Sequence, residues 1–320
     1  MRTLVPLNDD VVKYMSLEEL KKWVEERIRE QEKAGETAEE ERKVVSPNHP
    51  SIDALINSGK FFYSNKKDKN GMPIGVAVAL EEALAAMGTD GLIASLPYLI
   101  ACKAKADEKH ILWQNWYTAL TEEDVGIDKQ GRLFKSGTPV VVAVHGGGIL
   151  TAERIHQAYK KGLTLQRVAP FSDEEFDNLL QGILPSGEKI ECYHVEDVGN
   201  GKIPDPLGRY AIMMDFQIAQ KTKSGYFKKK EFMENPLVWA RAGTLDYLDA
   251  YFEKAEGSNK ELGNHHFLGK IDVQQPLGRV LWLDFSSYGL DGLSNLISNG
   301  RWFGVAPEAH VARDRRERKG

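Results

Sequence analysis

The sequence predicts an α/β fold, with mixed α+β as the alternative, and three observations carry that reading. Val140-Val-Val-Ala-Val144 is an unbroken apolar run, as expected of a strand buried on both faces. It opens into His145-Gly146-Gly147-Gly148 and a capped helix over 151–161, closed by Gly162. Residues 163–168 then alternate as a second strand, followed by a helix from Ser172 or Asp173 through Leu180. Strand, helix, strand and helix with short loops predict a sheet with a parallel βαβ unit at 140–182.

Taken in order, residues 1–45 read as an N-terminal charged helical arm. Ser16-Leu17-Glu18-Glu19 has the capping-box pattern, and Leu17, Leu20, Val24 and Ile28 form one narrow apolar stripe. Pro47 and Pro50 mark a boundary. Residues 46–135 read as an α-rich segment with a hairpin, strand 60–64 turning at Asn70-Gly71 into strand 74–78. Helices are expected over 79–87 and 92–105. Trp113, Trp116 and Tyr117 follow as core or interface anchors. The α/β core is expected over 136–310. Its second half carries antiparallel additions, with strands at 189–195, 209–216, 279–285 and 301–305 and a helix at 245–255. Residues 311–320 read as a disordered tail.

Composition narrows the function classes. The chain has 320 residues, 42% of them hydrophobic, and a net charge of −5, so nothing in its overall balance points to nucleic acid. Two cysteines without CxxC spacing argue against a disulfide framework. The longest apolar run, 92–102, is interrupted by Ser95 and Pro97 and is about half the length that spans a bilayer. A cytoplasmic protein with no membrane partner is the expectation.

The loop after 140–144 is the candidate site. Glycines expose backbone N–H groups at a helix start, where the dipole favours an anion. Gly146, Gly147, Gly148 and Thr151 are therefore candidate ligand-binding residues for a small anionic or phosphorylated metabolite. His145 is the candidate acid/base, and Asp215 and Asp284, at the ends of apolar strands, are candidate supporting carboxylates. His-Gly-Gly-Gly resembles the oxyanion-hole motif of lipase-type α/β-hydrolases. That family also needs a Gly-x-Ser-x-Gly elbow, and the nearest segment, Gly292-Leu-Ser294-Asn-Leu296, lacks the second Gly. Gly146-Gly-Gly148-Ile-Leu-Thr151 resembles a dinucleotide fingerprint without the ribose-binding acid, and no P-loop occurs. These motifs leave the cofactor unknown, and the spacing of His194, Glu196 and His265-His266 assigns no metal. Arg241 reads more readily as half of a structural ion pair than as an anion ligand.

Two other classes stand beside this reading. A non-enzymatic, self-assembling or scaffold protein fits the 16–43 helix, which would support a homo-oligomer, and the aromatic and glycine-rich C-terminal segments. A nucleic-acid-binding accessory factor would use the lysines of 221–230.

Overall fold

The computed structural model describes residues 50–307 apart from 89–90, 204, 206, 257–258, 272 and 286. The charged arm and the tail lie outside the described residues. Helix α1 (Ile52–Ser58), capped by Ser51, leads into β1 (Lys60–Ser64). Helix α2 (Gly75–Met87) follows, buried along Val76, Ala77, Ala79, Leu80 and Ala83. Next come β2 (Leu92–Ile93), α3 (Leu96–Lys105), a 3-10 turn at Ile111–Gln114, β3 (Tyr117–Asp128) and β4 (Thr138–His145). The middle of the chain forms α4 (Ala152–Lys161), β5 (Ala169–Pro170), α5 (Asp173–Leu180), β6 (Glu191–His194) and α6 (Val195–Gly199). Then follow β7 (Tyr210–Asp215), α7 (Phe216–Lys221), β8 (Gly225–Lys228), α8 (Lys229–Met233), α9 (Pro236–Ala242) and α10 (Leu248–Ala255). Strands β9 (Glu261–His266), β10 (Leu277–Leu283), β11 (Leu290–Gly292) and β12 (Gly300–Val305) complete it.

The architecture is mixed helix and strand, as expected. The larger sheet runs β6-β7-β4-β3-β10-β11-β9-β8, with β5 on the flank of β10. A smaller sheet, β1-β12-β2, pairs the first described strand with the last. Several local predictions hold. Thr151 caps α4, Ser172 and Glu175 form a capping box on α5, and Gly243 ends α9 in the left-handed conformation.

The parallel pairing lies elsewhere than predicted. Strand β4 is antiparallel to both its neighbours, β3 and β7, and the parallel pairs are β6 with β7 and β9 with β11. Residues 163–168 form a tight turn, with Thr164 N–H on Val168 O and Arg167 at φ 58. Leu165, which the alternation placed inside, is 98% exposed. The two-residue β5 then pairs antiparallel with β10. The 140–182 segment is thus not a parallel βαβ unit.

The hairpin is also corrected. Strand β1 is present, but Gly75 opens α2 because the run from Val76 to Met87 is apolar on most faces and packs as a buried helix. Residues 92–93 are a strand and α3 starts at Leu96, with Pro97 in its first turn. Strand β3, the twelve-residue centre of the larger sheet, lies in the segment read as α-rich, at positions where no strand was expected.

Candidate functional site

Strands alternate their side chains, so β3 sends Glu122 and Asp124 to one face of the sheet and Thr121 and Glu123 to the other. All four are buried. On the first face, Glu122 reaches the glycine loop. Ile149 N–H donates to Glu122 Oε1, and Leu150 N–H to Oε2 at 2.7 Å. Gly146 and Gly147, at φ 82 and 93, send their N–H groups to Leu120 O at 2.8 and 3.1 Å. A Cβ on Gly148 would overlap Glu122 Oε1, which is why this position is glycine. Thr151 spends its hydroxyl on Arg154 N–H as the cap of α4. Two of the donors expected to hold an external anion, Ile149 and Leu150 N–H, therefore hold the chain's own carboxylate, and those of Gly146 and Gly147 hold a backbone carbonyl.

Burial pushes Glu122 up to about 7, against the lowering effect of the two N–H groups. Asp124 is raised well above the usual carboxylate range by burial and then by the charge of Glu122. Its oxygens have no donor among the described residues. Burial and the neighbouring charge thus favour the protonated form of Asp124, while the two loop N–H groups favour the charged form of Glu122.

On the second face, His145 lies beneath α9. Its Nε2–H donates to Ala240 O at 3.0 Å, and its Nδ1 faces Thr121 Oγ1 at 3.2 Å. Thr121 Oγ1 accepts Leu96 N–H at 2.8 Å, so the hydroxyl proton goes to Nδ1. Burial lowers His145 to about 4. This is a neutral, satisfied core histidine with both nitrogens occupied.

The predicted carboxylates do not join it. Asp215 pairs with Val140 while His145 pairs with Tyr210, five residues along β4 or roughly 16 Å away. Asp215 caps α7 through Gln217 N–H at 2.7 Å. Asp284 follows β10 and accepts Phe285 N–H at 2.6 Å. His194 N–H bonds Asp197 at the start of α6, His265 stacks on Tyr288, and His266 Nε2 meets Thr222 O. Among the described residues no three His, Cys, Asp or Glu side chains are grouped to hold a metal ion. In the 221–230 segment, Lys229 is paired with Asp249 and Glu253.

Arg241 is the ion-pair residue the sequence favoured. Its Nε and Nη2 hold Glu123 Oε2 at 2.8 and 2.7 Å, and its Nη1 donates to Asn264 Oδ1 and His265 O. Arg279, opposite Glu123 in the β3–β10 register, donates to Gly292 O and lies over the Phe267 ring. Sequence reasoning assigned no element and no role to Glu122, Glu123 and Asp124, since successive acids carry no signal of burial in themselves. The clue was Val125-Gly126-Ile127 directly after them.

Arg279 bonds Gly292 of a second loop, residues 284–299, and Arg241 packs against the same glycine; β11 is the one strand in that loop among the described residues. Its main chain is gripped at many points. Lys103 Nζ donates to Asp284 O, Arg279 to Gly292 O, and Tyr159 OH to Leu296 O at 2.6 Å. Asp284 N–H bonds Gly289 O, Leu296 N–H bonds Arg167 O, and Ser287 O and Ser298 O accept from Gly263 and Val76. Asp291 accepts Leu293 N–H and the Ser294 hydroxyl. The side chains of Phe285 and Leu293 remain 50% and 43% exposed.

Lys103 is fully buried with its ammonium over the rings of Trp113 and Tyr117. Burial lowers it to about 7, partly offset by Asp284.

No family model matches the chain, and no curated protein matches it. No helix among the described residues is long and apolar enough to cross a membrane. A solved structure described as accommodation of massive sequence variation in Nanoarchaeota by the C-type lectin fold is 24% identical. The match covers 77% of this chain and 97% of that one, with a TM-score of 0.56. At that identity the likeness speaks for architecture, and it shows a C-type lectin-like fold.

Proposed function

We propose that this chain is a non-enzymatic recognition protein that presents the side chains of residues 284–299 to a partner. One observation carries the reading: the loop is held through its main chain while Phe285 and Leu293 face outward. A loop fixed in this way keeps its course when its outward residues change, so recognition can be altered without refolding. The similar structure, whose fold is described as accommodating massive sequence variation, supports the same reading for this chain. Binding energy would come from a few exposed anchors such as Phe285, as at other protein interfaces.

The test is a displayed library randomised at 285 and 293, the exposed apolar positions of the loop. Most members should resist protease as the parent does, and panning on one immobilised protein should enrich binders that differ only at these positions. If most members unfold, or if no position in the loop influences binding, the reading fails.

A further inference from the structure

Strand β1 and the turn after it carry a second surface. Phe61 and Tyr63 stand on one face of β1, two residues and about 7 Å apart. They are 40% and 46% exposed. Both rings are fixed from behind: Phe61 stacks on Phe303 and Tyr117, and Tyr63 meets the edge of Trp116. Arg301, opposite Tyr63 in the β1–β12 register, lies over the rings of Tyr63 and Trp116 at 5.1 and 5.0 Å. Its polar partner is Asn115, and no carboxylate pairs with it among the described residues.

The chain then turns through Asn65-Lys66-Lys67-Asp68-Lys69-Asn70-Gly71, and Lys66, Lys67 and Lys69 are exposed without ion pairs among the described residues. Asp68 is spent inside the turn, accepting Asn70 N–H and Met72 N–H at 2.8 Å each. The Lys67–Pro73 bridge and the Ile74 N–H bond to Lys66 O hold the turn in place. An ordered cationic turn thus continues directly from two exposed, rigid rings.

We propose that this strand–turn surface binds single-stranded nucleic acid, with bases stacking on Phe61 and Tyr63 and phosphates meeting Arg301, Lys66, Lys67 and Lys69. Sequence-tolerant binding of single strands uses this combination of aromatic platforms and a cationic track. The ring spacing suits successive unstacked bases on an extended strand. The net charge of −5 is a property of the whole chain and does not describe this patch. The surface uses none of the residues 284–299 and stands without the function proposed for them.

The probe is a fluorescently labelled fifteen-residue oligodeoxythymidine, followed by anisotropy from low to physiological salt with the full chain. Binding should weaken with salt, with a slope of about −0.7 per phosphate contacted. Lys66→Glu with Lys67→Glu should flatten that slope and nearly abolish binding. Tyr63→Ala should weaken binding about tenfold at unchanged slope, since base stacking is worth about that much per ring. Tyr63 is half-exposed, so this variant should melt like the parent, which a thermal scan verifies. The proposal is overturned if the oligonucleotide does not bind at low salt. It is equally overturned if Tyr63→Ala binds as the parent does, or if heparin of matched charge binds as tightly, since the surface would then be a charge patch only.

Discussion

The two glycine-containing loops of this protein solve opposite problems. In 145–151 the glycines let the chain approach its own Glu122, and the N–H groups of Gly146, Gly147, Ile149 and Leu150 are turned inward. In 284–299 side chains from the body of the protein hold backbone carbonyls, Leu290 and Leu296 point inward, and the side chains of Phe285 and Leu293 are left to face solvent. Lack of side chains at a helix start is therefore poor evidence of a binding site until the space they leave is known to be empty. A loop held by its main chain is a better place to look.

The largest effect should come from beneath the second loop. Arg241→Met removes the cation from a fully buried pair and leaves the Glu123 carboxylate stranded. Breaking such a pair costs about 3–5 kcal/mol, readable as a fall in the urea midpoint at unchanged slope. A variant as stable as the parent would show that solvent reaches Glu123, and the support of 284–299 would need another explanation.

The glycine loop should respond next. Glu122→Gln keeps the shape but cannot accept both N–H groups with charge, and about 1–3 kcal/mol should be lost. Gly148→Ala forces a methyl group onto Glu122 Oε1 and should cost a similar 1–3 kcal/mol. The two losses should not add in the double variant, because both break one contact. Full additivity would mean that the loop is held by something other than Glu122.

Much of this contrast was legible in the sequence only on one side. The β4–loop–α4 unit could be read because a local apolar run, the Thr151 cap and Gly162 all act within a few residues. The occupant of the loop could not, since Glu122 arrives from a strand whose three acids are tolerable inside only after Arg241 and the loop N–H groups have come together. The alternation of 163–168 misled for a related reason. Period-two patterning is also what a turn shows when its one apolar tip, Leu165, points to solvent. Lys103 and Arg279 gave no signal as loop supports, because what they hold are backbone carbonyls, which carry no sequence identity.

The two regions should also separate by pH. His145 is lowered to about 4, so between pH 6.5 and 4 the unfolded chain binds the extra proton. Its contribution is fully present above 6.5 and is lost as the pH falls towards 4. Lys103, lowered to about 7, gives the alkaline counterpart. Its unfolded form stays protonated up to 10.5, so its contribution grows from pH 7 to 10.5 and is lost as the pH falls through 7. Denaturant titrations across pH should show the acid limb flattened in His145→Gln and the alkaline rise flattened in Lys103→Met. Unchanged profiles would place water beside these groups.

The smallest effect is the most telling for the proposed function. Phe285→Ser and Leu293→Ser remove the two most exposed apolar side chains of 284–299, and each should change stability by no more than about 0.5 kcal/mol. Amide exchange at Asp284 and Leu296 should remain slow in the double variant, because Asp284 N–H, Leu296 N–H and the Lys103, Arg279 and Tyr159 contacts do not involve those side chains. A loss of several kcal/mol, or fast exchange throughout the loop, would mean that the outward residues hold the loop themselves. The loop could not then vary independently of the fold, and the distinction between an inward-facing and an outward-facing loop would collapse.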